Sequence, residues 1–224
     1  MVATIFVRLV IPAYLAAVEL ILVRHGLPER RELATGPADP ELTDDGHRQA
    51  ELLAEYLSGE PIVAVYTSPL RRAVQTAAPL AGRLGLVPVV IDDVAEFDRH
   101  ASSYIPMEEL KAAGDPRFHD PTSDVWGGND PDDGFDERVR GAIDRMIADH
   151  PGETIAVTCH GGVINLVLAD VLGISTDGPG FFYPNYTSIH RIAASRSGVR
   201  SVVTINETSH LRNTGLPMGL FQKG

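Results

Sequence analysis

Short apolar runs separated by helical patterns constrain the fold of this chain more than any other feature of its sequence. The runs are rich in β-branched residues and nearly continuous in apolarity, and they cover residues 19–23, 62–68, 87–91 and 154–159. Such runs are typical of strands that are covered on both faces of a sheet. Because helical segments separate them, we predict that these strands pair in a mostly parallel sheet.

Helical patterns fill the intervals between the runs. In the first, at 42–57, Thr43 is placed to cap the N-terminus ahead of two acidic residues. In the second, at 68–84, we expect Ser68 to be the cap and Pro79 to kink the helix or end it early. Two more helices and a closing hairpin are predicted at 135–149, 161–172, 187–194 and 200–206.

The order of these elements predicts one α/β domain over residues 19–210. A chain of 224 residues is long enough to build a full core for it. Residues 98–134 interrupt the alternation and are rich in Pro, Gly and Asp, so we expect a lid-like insert over a site. The remaining segments, 1–18 and 211–224, are expected to be an apolar N-terminal extension and a C-terminal tail.

Net charge and cysteine content limit the partners and the compartment. The formal net charge of −11 argues against nucleic acid and against an anionic membrane surface, since both would be repelled. A single cysteine, Cys159, excludes an internal disulfide and fits a cytoplasmic location. The apolar residues 1–18 leave a secretion signal or an anchor open beside a dispensable extension.

Polar and charged side chains follow the predicted strands. In an open α/β sheet the ligand crevice lies at the carboxyl ends of the strands, so these side chains should converge. They are Arg24, His25, Ser68, Arg71, Arg72, Glu96 and His160. Forked guanidinium groups and helix N-termini bind phosphoryl oxygens, a neutral imidazole can attack phosphorus, and a carboxylic acid can protonate the leaving alcohol. The set is sufficient for phosphoryl transfer without a metal ion or another cofactor.

The motifs LVRHG, SPLRRAVQTA, AEF and CHGGVI, in that order, resemble the histidine phosphatase superfamily, also called the phosphoglycerate mutase-like family. The resemblance covers residues 19–206 and implies a three-layer α/β/α fold with a mostly parallel sheet. It also implies that His25 is the phosphate-accepting nucleophile and Glu96 the general acid and base. The residues that it implies as clamps on the phosphoryl oxygens are Arg24, Arg72 and His160.

For two of these assignments, a residue nearby in the sequence is an alternative. Adjacent residues on a helix lie about 100° apart, so we expect one arginine of the pair to face the site, and the resemblance favours Arg72 over Arg71. Carboxylates are frequent around Glu96, which leaves another acid open as the proton donor. The alternatives are Asp92, Asp93 and Asp98.

The segment after RHG departs from the family pattern. Many members carry a threonine or serine and then an asparagine there, whereas this chain has Leu27, Pro28, Glu29, Arg30 and Arg31. Arg30 or Arg31 could supply the missing phosphate contacts. The chain also lacks the tryptophan- and asparagine-containing segment and the glycine-tryptophan pair of the mutases, so a phosphatase is favoured over a mutase.

Further substrate contacts are expected from a helix start and from the insert. Gly161 opens a predicted helix whose N-terminus should attract an anion. His100 lies just after Glu96 and could reach the substrate. Three aromatic residues of the insert could stack on a substrate ring, although packing within the insert is favoured: Tyr104, Phe118 and Trp126.

The sequence therefore favours a metal-independent phosphomonoesterase with a small phosphorylated substrate. Phosphoglycerate mutase-like transfer and a non-catalytic phosphoryl-binding module stay open as alternatives. A cysteine-dependent phosphatase would need an arginine six positions after Cys159, where Asn165 stands. A catalytic metal ion is disfavoured because the arginines would repel it. The hairpin at 187–206, at a sheet edge, leaves a homodimer open.

Overall fold

A mixed sheet lies at the centre of the molecule. The computed structural model of the chain describes residues 17–120, 134–175, 181–195, 197–221 and 224. Its strands are β1 Val18–Arg24, β2 Arg31–Glu32, β3 Ile62–Thr67, β4 Val89–Val90, β5 Ser103–Tyr104, β6 Thr154–Cys159, β7 Ile189–Ala194 and β8 Arg200–Glu207. In the part of the chain that is described, the central sheet has the order β4-β3-β6-β1-β7-β8. The first four strands in this order run parallel, and β7 and β8 form the antiparallel hairpin that the sequence predicts.

Helices cover both faces of this sheet. They are α1 Asp44–Leu57, α2 Arg71–Leu84, α3 Met107–Ala113, α4 Phe135–Asp149 and α5 Gly161–Leu172. Because successive strand residues point to opposite faces, β1 contributes to two cores. Leu20 and Leu22 pack with α4 and α5, whereas Ile21 and Val23 pack with α1 and α2. The predicted three-layer α/β/α fold is confirmed.

The two helices with predicted caps begin differently. Thr43 caps α1 as predicted, its hydroxyl oxygen accepting a hydrogen bond from the Gly46 N–H at 3.0 Å. The prediction that Ser68 caps α2 was wrong, because that helix begins at Arg71 after Leu70. The Ser68 hydroxyl instead contacts His160 at the sheet edge. The Ser68 side chain thus makes a hydrogen bond with His160 rather than capping α2.

Two further local predictions need correction. Of the two outcomes expected at Pro79, the early end is contradicted: α2 continues to Leu84, because Ala77 and Leu80 on either side are buried against the sheet. The strand predicted at 87–91 is reduced to Val89–Val90. It lies at the edge of the sheet, where Val89 and Val90 are exposed rather than covered on both faces.

The first part of the insert pairs with the segment that follows the RHG motif. Strands β2 and β5 pair antiparallel, with Arg31 opposite Tyr104, and α3 follows directly. Trp126 and residues 121–133 lie outside the described residues, as do residues 1–16. Beyond position 210 the chain packs on the domain through a small apolar cluster: Leu211, Leu216 and Met218.

Within the described ranges, no helix combines the length and the apolarity that crossing a membrane requires.

Candidate active site

Two adjacent parallel strands bring the two histidines of the motifs together. Arg24 at the end of β1 is in register with Cys159 at the end of β6, so the next residues along both strands emerge side by side. The backbone N–H of His25 donates to the Cys159 carbonyl at 3.0 Å. The imidazole rings of His25 and His160 lie 5.3 Å apart between centroids, and both are buried.

The His25 ring is held with one nitrogen free. Its Nδ1 lies 2.7 Å from the Gly26 carbonyl oxygen. A carbonyl oxygen can only accept, so Nδ1 carries the proton and Nε2 keeps its lone pair. Burial, together with the positive charges of Arg72 and Arg24, holds the pKa of His25 well below its usual value. The ring is therefore neutral and nucleophilic at Nε2 near pH 7.

Gly26 is required by a close backbone approach. A Cβ atom at this position would meet the Gly46 carbonyl oxygen at 2.7 Å, which is shorter than a van der Waals contact. The Gly26 N–H donates to the Thr76 hydroxyl of α2 at 3.0 Å. The start of α1 and the middle of α2 thus fix the turn that positions His25.

Arg24 is positioned by the loop before β7. Its Nη1 donates to the Pro184 carbonyl at 2.6 Å, and the guanidinium lies 4.4 Å from the ring centroid of Tyr186 and 5.6 Å from that of Tyr183. The Nε atom is buried without a hydrogen-bond partner in the described structure. A buried guanidinium with an unused donor is suited to bind an anion.

Arg72 is placed in the site and Arg71 is not. The Arg72 side chain is 1% exposed, and its Nη2 donates to both carboxylate oxygens of Asp98, at 2.9 and 3.2 Å. Its guanidinium lies 4.7 Å from the ring centroid of Tyr104, and its Nε has no partner among the described residues. Arg71 is half exposed and pairs with Glu41.

Glu96 is a buried carboxyl group with backbone partners. Its two oxygens accept from the N–H of Gly162 at 2.8 Å and from the N–H of Phe97 at 3.2 Å. Burial and the negative charge of Asp98 raise the pKa of Glu96 to about 7. A carboxyl group with this pKa can donate a proton and take one back near neutral pH. Of the rival acids, Asp98 is engaged by Arg72, and Asp93 pairs with Arg145.

His160 contacts Ser68, the residue that the sequence pattern predicts as the cap of α2. Its Nε2 lies 2.7 Å from the Ser68 hydroxyl oxygen, both side chains are fully buried, and its Nδ1 has no partner among the described residues. Burial and the positive charge of Arg72 hold the pKa of His160 well below its usual value.

The other predicted substrate contacts lie at the margin of the site or at the start of α5. Arg30 is half exposed, and its guanidinium pairs with Glu32 at 2.5 Å and with Glu109 at 3.5 Å. His100 is exposed at the end of a short turn. Gly161 opens α5, so its N–H is among those without an acceptor inside the helix.

Sequence reasoning missed the residues that support Arg24. Pro184, Tyr183 and Tyr186 come from a segment that lies far from the motifs and has no periodic pattern. The signal that could have indicated them is chemical: a buried guanidinium needs aromatic faces and carbonyl oxygens around it. Ser68 was noticed but was assigned to a helix cap.

A comparison with known families decides the relationship. A model of the histidine phosphatase superfamily, branch 1, matches residues 20–208. The chain belongs to this superfamily. Within the superfamily, a bifunctional protein of Mycobacterium tuberculosis is 33% identical over 202 residues, which are 86% of this chain and 54% of that protein. The chain thus spans about half the length of this relative.

Other relatives match along most of their length. Phosphoserine phosphatase 1 of Hydrogenobacter thermophilus is 29% identical over 203 residues, covering 87% of this chain and 94% of that protein. Among solved structures, a phosphoserine phosphatase of Entamoeba histolytica superposes with a TM-score of 0.65 at 24% identity, over 87% of this chain and 99% of that one. The structural likeness supports the shared fold.

Proposed function

We propose that this protein is a metal-independent phosphomonoesterase that works through a phosphohistidine on His25. One observation carries the proposal. The Nδ1–H of His25 donates to the Gly26 carbonyl, which leaves the Nε2 lone pair free in a site that two buried arginines line. Membership of the superfamily and the phosphoserine phosphatase relatives support phosphate-ester chemistry.

The groups of the site suit two successive displacements. In the first, Nε2 of His25 forms a bond to phosphorus, the ester P–O bond breaks, and protonated Glu96 gives its proton to the leaving oxygen. In the second, the Glu96 carboxylate takes a proton from water, the water oxygen bonds to phosphorus, and the P–N bond breaks to release inorganic phosphate. Arg24 and Arg72 stabilise the phosphoryl oxygens in both steps.

Metal independence is part of the proposal and rests on charge. Two buried guanidinium groups already supply the positive charge that a divalent ion would bring, and they would repel such an ion. A cytoplasmic location is also proposed, with the single cysteine, Cys159, as its support.

The test is a turnover assay with an aryl phosphate in the presence of chelator. We expect turnover, together with an acid-labile phosphate adduct seen by mass on the quenched protein. Both should vanish in His25→Ala and persist in His47→Ala, a matched change of an exposed histidine on α1. Full activity of His25→Ala would contradict the phosphohistidine route, and a loss in chelator that added metal restores would contradict metal independence.

A further inference from the structure

Asn206 adopts a backbone conformation that few side chains tolerate. Its φ is 57°, in the left-handed region that asparagine enters more readily than most residues. It lies at a bulge, because between the paired positions Glu207 and Thr204 β8 contains one residue more than the facing stretch of β7. The backbone N–H of Asn206 donates to Nδ1 of the buried His190 at 3.3 Å. Bulges of this kind re-aim side chains and are frequent beside active sites.

The side chain of Asn206 binds the loop before β7 at two points. Its Oδ1 accepts from the Asn185 N–H at 2.8 Å, and its Nδ2 donates to the Tyr183 carbonyl at 3.2 Å. A backbone N–H can only donate and a carbonyl oxygen can only accept, so the two partners assign both ends of the carboxamide. These partners lie on either side of Pro184 along the chain. The carboxamide thus fixes the backbone of the loop before and after Pro184.

The same loop holds the guanidinium of Arg24. The Pro184 carbonyl accepts from Arg24 Nη1 at 2.6 Å, and the Tyr183 ring centroid lies 5.6 Å from the guanidinium carbon. Arg24 is buried, and its Nε has no hydrogen-bond partner within the described ranges, so the bond to Pro184 helps to set where this donor points. A hydrogen bond weakens steeply with distance and angle, so a shift of the loop would release the guanidinium.

We propose that Asn206 is a positioning residue of the reaction, which acts on the phosphoryl group through Pro184 and Arg24. The inference rests on the proposed function, in which Arg24 stabilises the phosphoryl oxygens. The carboxamide holds the loop, the loop holds Nη1, and the remaining donors of the guanidinium are aligned before the phosphoryl group arrives. Asparagine suits this task because one residue supplies the left-handed backbone together with a donor and an acceptor.

Two glycine substitutions separate the side chain from the backbone. Asn206→Gly keeps the left-handed conformation and removes the carboxamide. We expect it to weaken the binding of inorganic phosphate roughly tenfold, the effect of losing about one hydrogen bond, and to lower kcat/KM for an aryl phosphate by a similar factor. Asn213→Gly makes the same change at an exposed residue with a φ of 62° and should leave both values as they are. Calorimetry reports the Kd separately from the fraction of protein that binds, so a loss of folded protein would appear in the stoichiometry.

Arg24→Ala tests whether the effect of Asn206 passes through the arginine. In that background Asn206→Gly should change the Kd for phosphate by less than about twofold, because the group that Asn206 positions is gone. In the native background, the Nε–H resonance of Arg24 should shift in Asn206→Gly and stay in place in Asn213→Gly. Equal losses of phosphate affinity in both backgrounds, or an unmoved Arg24 resonance, would overturn the inference.

The phosphate measurements do not depend on turnover. Failure of the phosphohistidine route would appear as no adduct and no turnover, with the coupling between Asn206 and Arg24 in phosphate binding kept. Absence of that coupling, with the adduct and the turnover intact, would instead overturn the role of Asn206 alone.

Discussion

At the scale of single residues, the proton positions on two histidines determine what the site can do. His25 is fixed by a carbonyl, so its tautomer follows from the backbone. His160 is different, since its partner is a hydroxyl that can donate or accept. The Ser68 oxygen accepts from the Leu70 N–H at 3.3 Å, and we expect the Ser68 hydroxyl to donate its own proton to Nε2 of His160. With that direction, the proton of His160 would lie on Nδ1, which has no partner among the described residues.

Without the Ser68 hydroxyl, the proton of His160 should no longer be held on Nδ1. We expect Ser68→Ala to lower kcat/KM roughly tenfold, the effect of losing about one hydrogen bond. Ser68→Thr keeps a hydroxyl and should restore most of the activity. The nitrogen chemical shifts of His160 report which nitrogen carries the proton, so an unchanged tautomer in Ser68→Ala would contradict the assignment.

Residues of the site differ in how far the sequence could reveal them. Arg24, His25 and His160 directly follow or end strands, and parallel strands deliver such residues to one edge. Glu96 could be placed near that edge but not chosen over its acidic neighbours, because the choice depends on burial. The partners of Arg24 come from a distant loop, and no local pattern predicts a contact over such a separation.

At the scale of elements, the start of α5 and the turn carrying Glu96 are fitted to each other. A Cβ atom on Gly162 would lie 2.3 Å from Glu96 Oε1 and 2.6 Å from the Phe97 ring. A Cβ atom on Gly161 would meet nothing within 4 Å. Of the two glycines of the HGG motif, the second is therefore required for Glu96 to reach the helix N-terminus.

Alanine at each of the two glycines tests this fit. With a Glu96 pKa of about 7, kcat/KM should fall as pH rises through about 7, since the proton donor is then lost. Gly162→Ala displaces Glu96 into a more solvated position, so this limb should move toward the ordinary glutamate pKa and activity at pH 7 should drop. Gly161→Ala should keep the limb near pH 7. An alkaline limb that Gly162→Ala leaves in place would contradict the account.

The elements themselves were largely predictable, and the exceptions have physical causes. The helices α1, α4 and α5 follow from periodicity, because each buries one apolar side against the sheet. The strand β4 was overestimated, since apolar residues at a sheet edge look the same in the sequence as covered ones. The short elements between 97 and 119 were missed because they are too brief for a periodic pattern.

At the scale of the whole molecule, buried histidines make stability depend on pH. Burial lowers the pKa of His190 to about 3 and that of His210 to about 4, and it holds those of His25 and His160 well below the usual value. The unfolded chain takes up protons on these residues below about pH 6.5, whereas the folded protein does not. Their contribution to stability is therefore lost as the pH falls below about 6.5.

Denaturant unfolding at several pH values measures this dependence. Each histidine contributes roughly 1.4 kcal/mol per pH unit below 6.5, and Glu96, with its raised pKa, opposes them between about pH 4.5 and 7. We expect the free energy of unfolding to fall by roughly 5 to 6 kcal/mol between pH 7 and 5. His190→Gln should flatten the slope, and a free energy that rises toward pH 5 would contradict the sign.

The position of Cys159 has a consequence for oxidative stress. This residue ends β6 directly before His160, is fully buried, and has a thiol whose pKa burial raises. Peroxide reacts with accessible thiolates, and the sequence offers no second cysteine. The proposed phosphoryl transfer uses imidazole groups, and the thiol beside His160 is buried and protonated. It should therefore continue at peroxide concentrations that inactivate thiolate-dependent phosphatases.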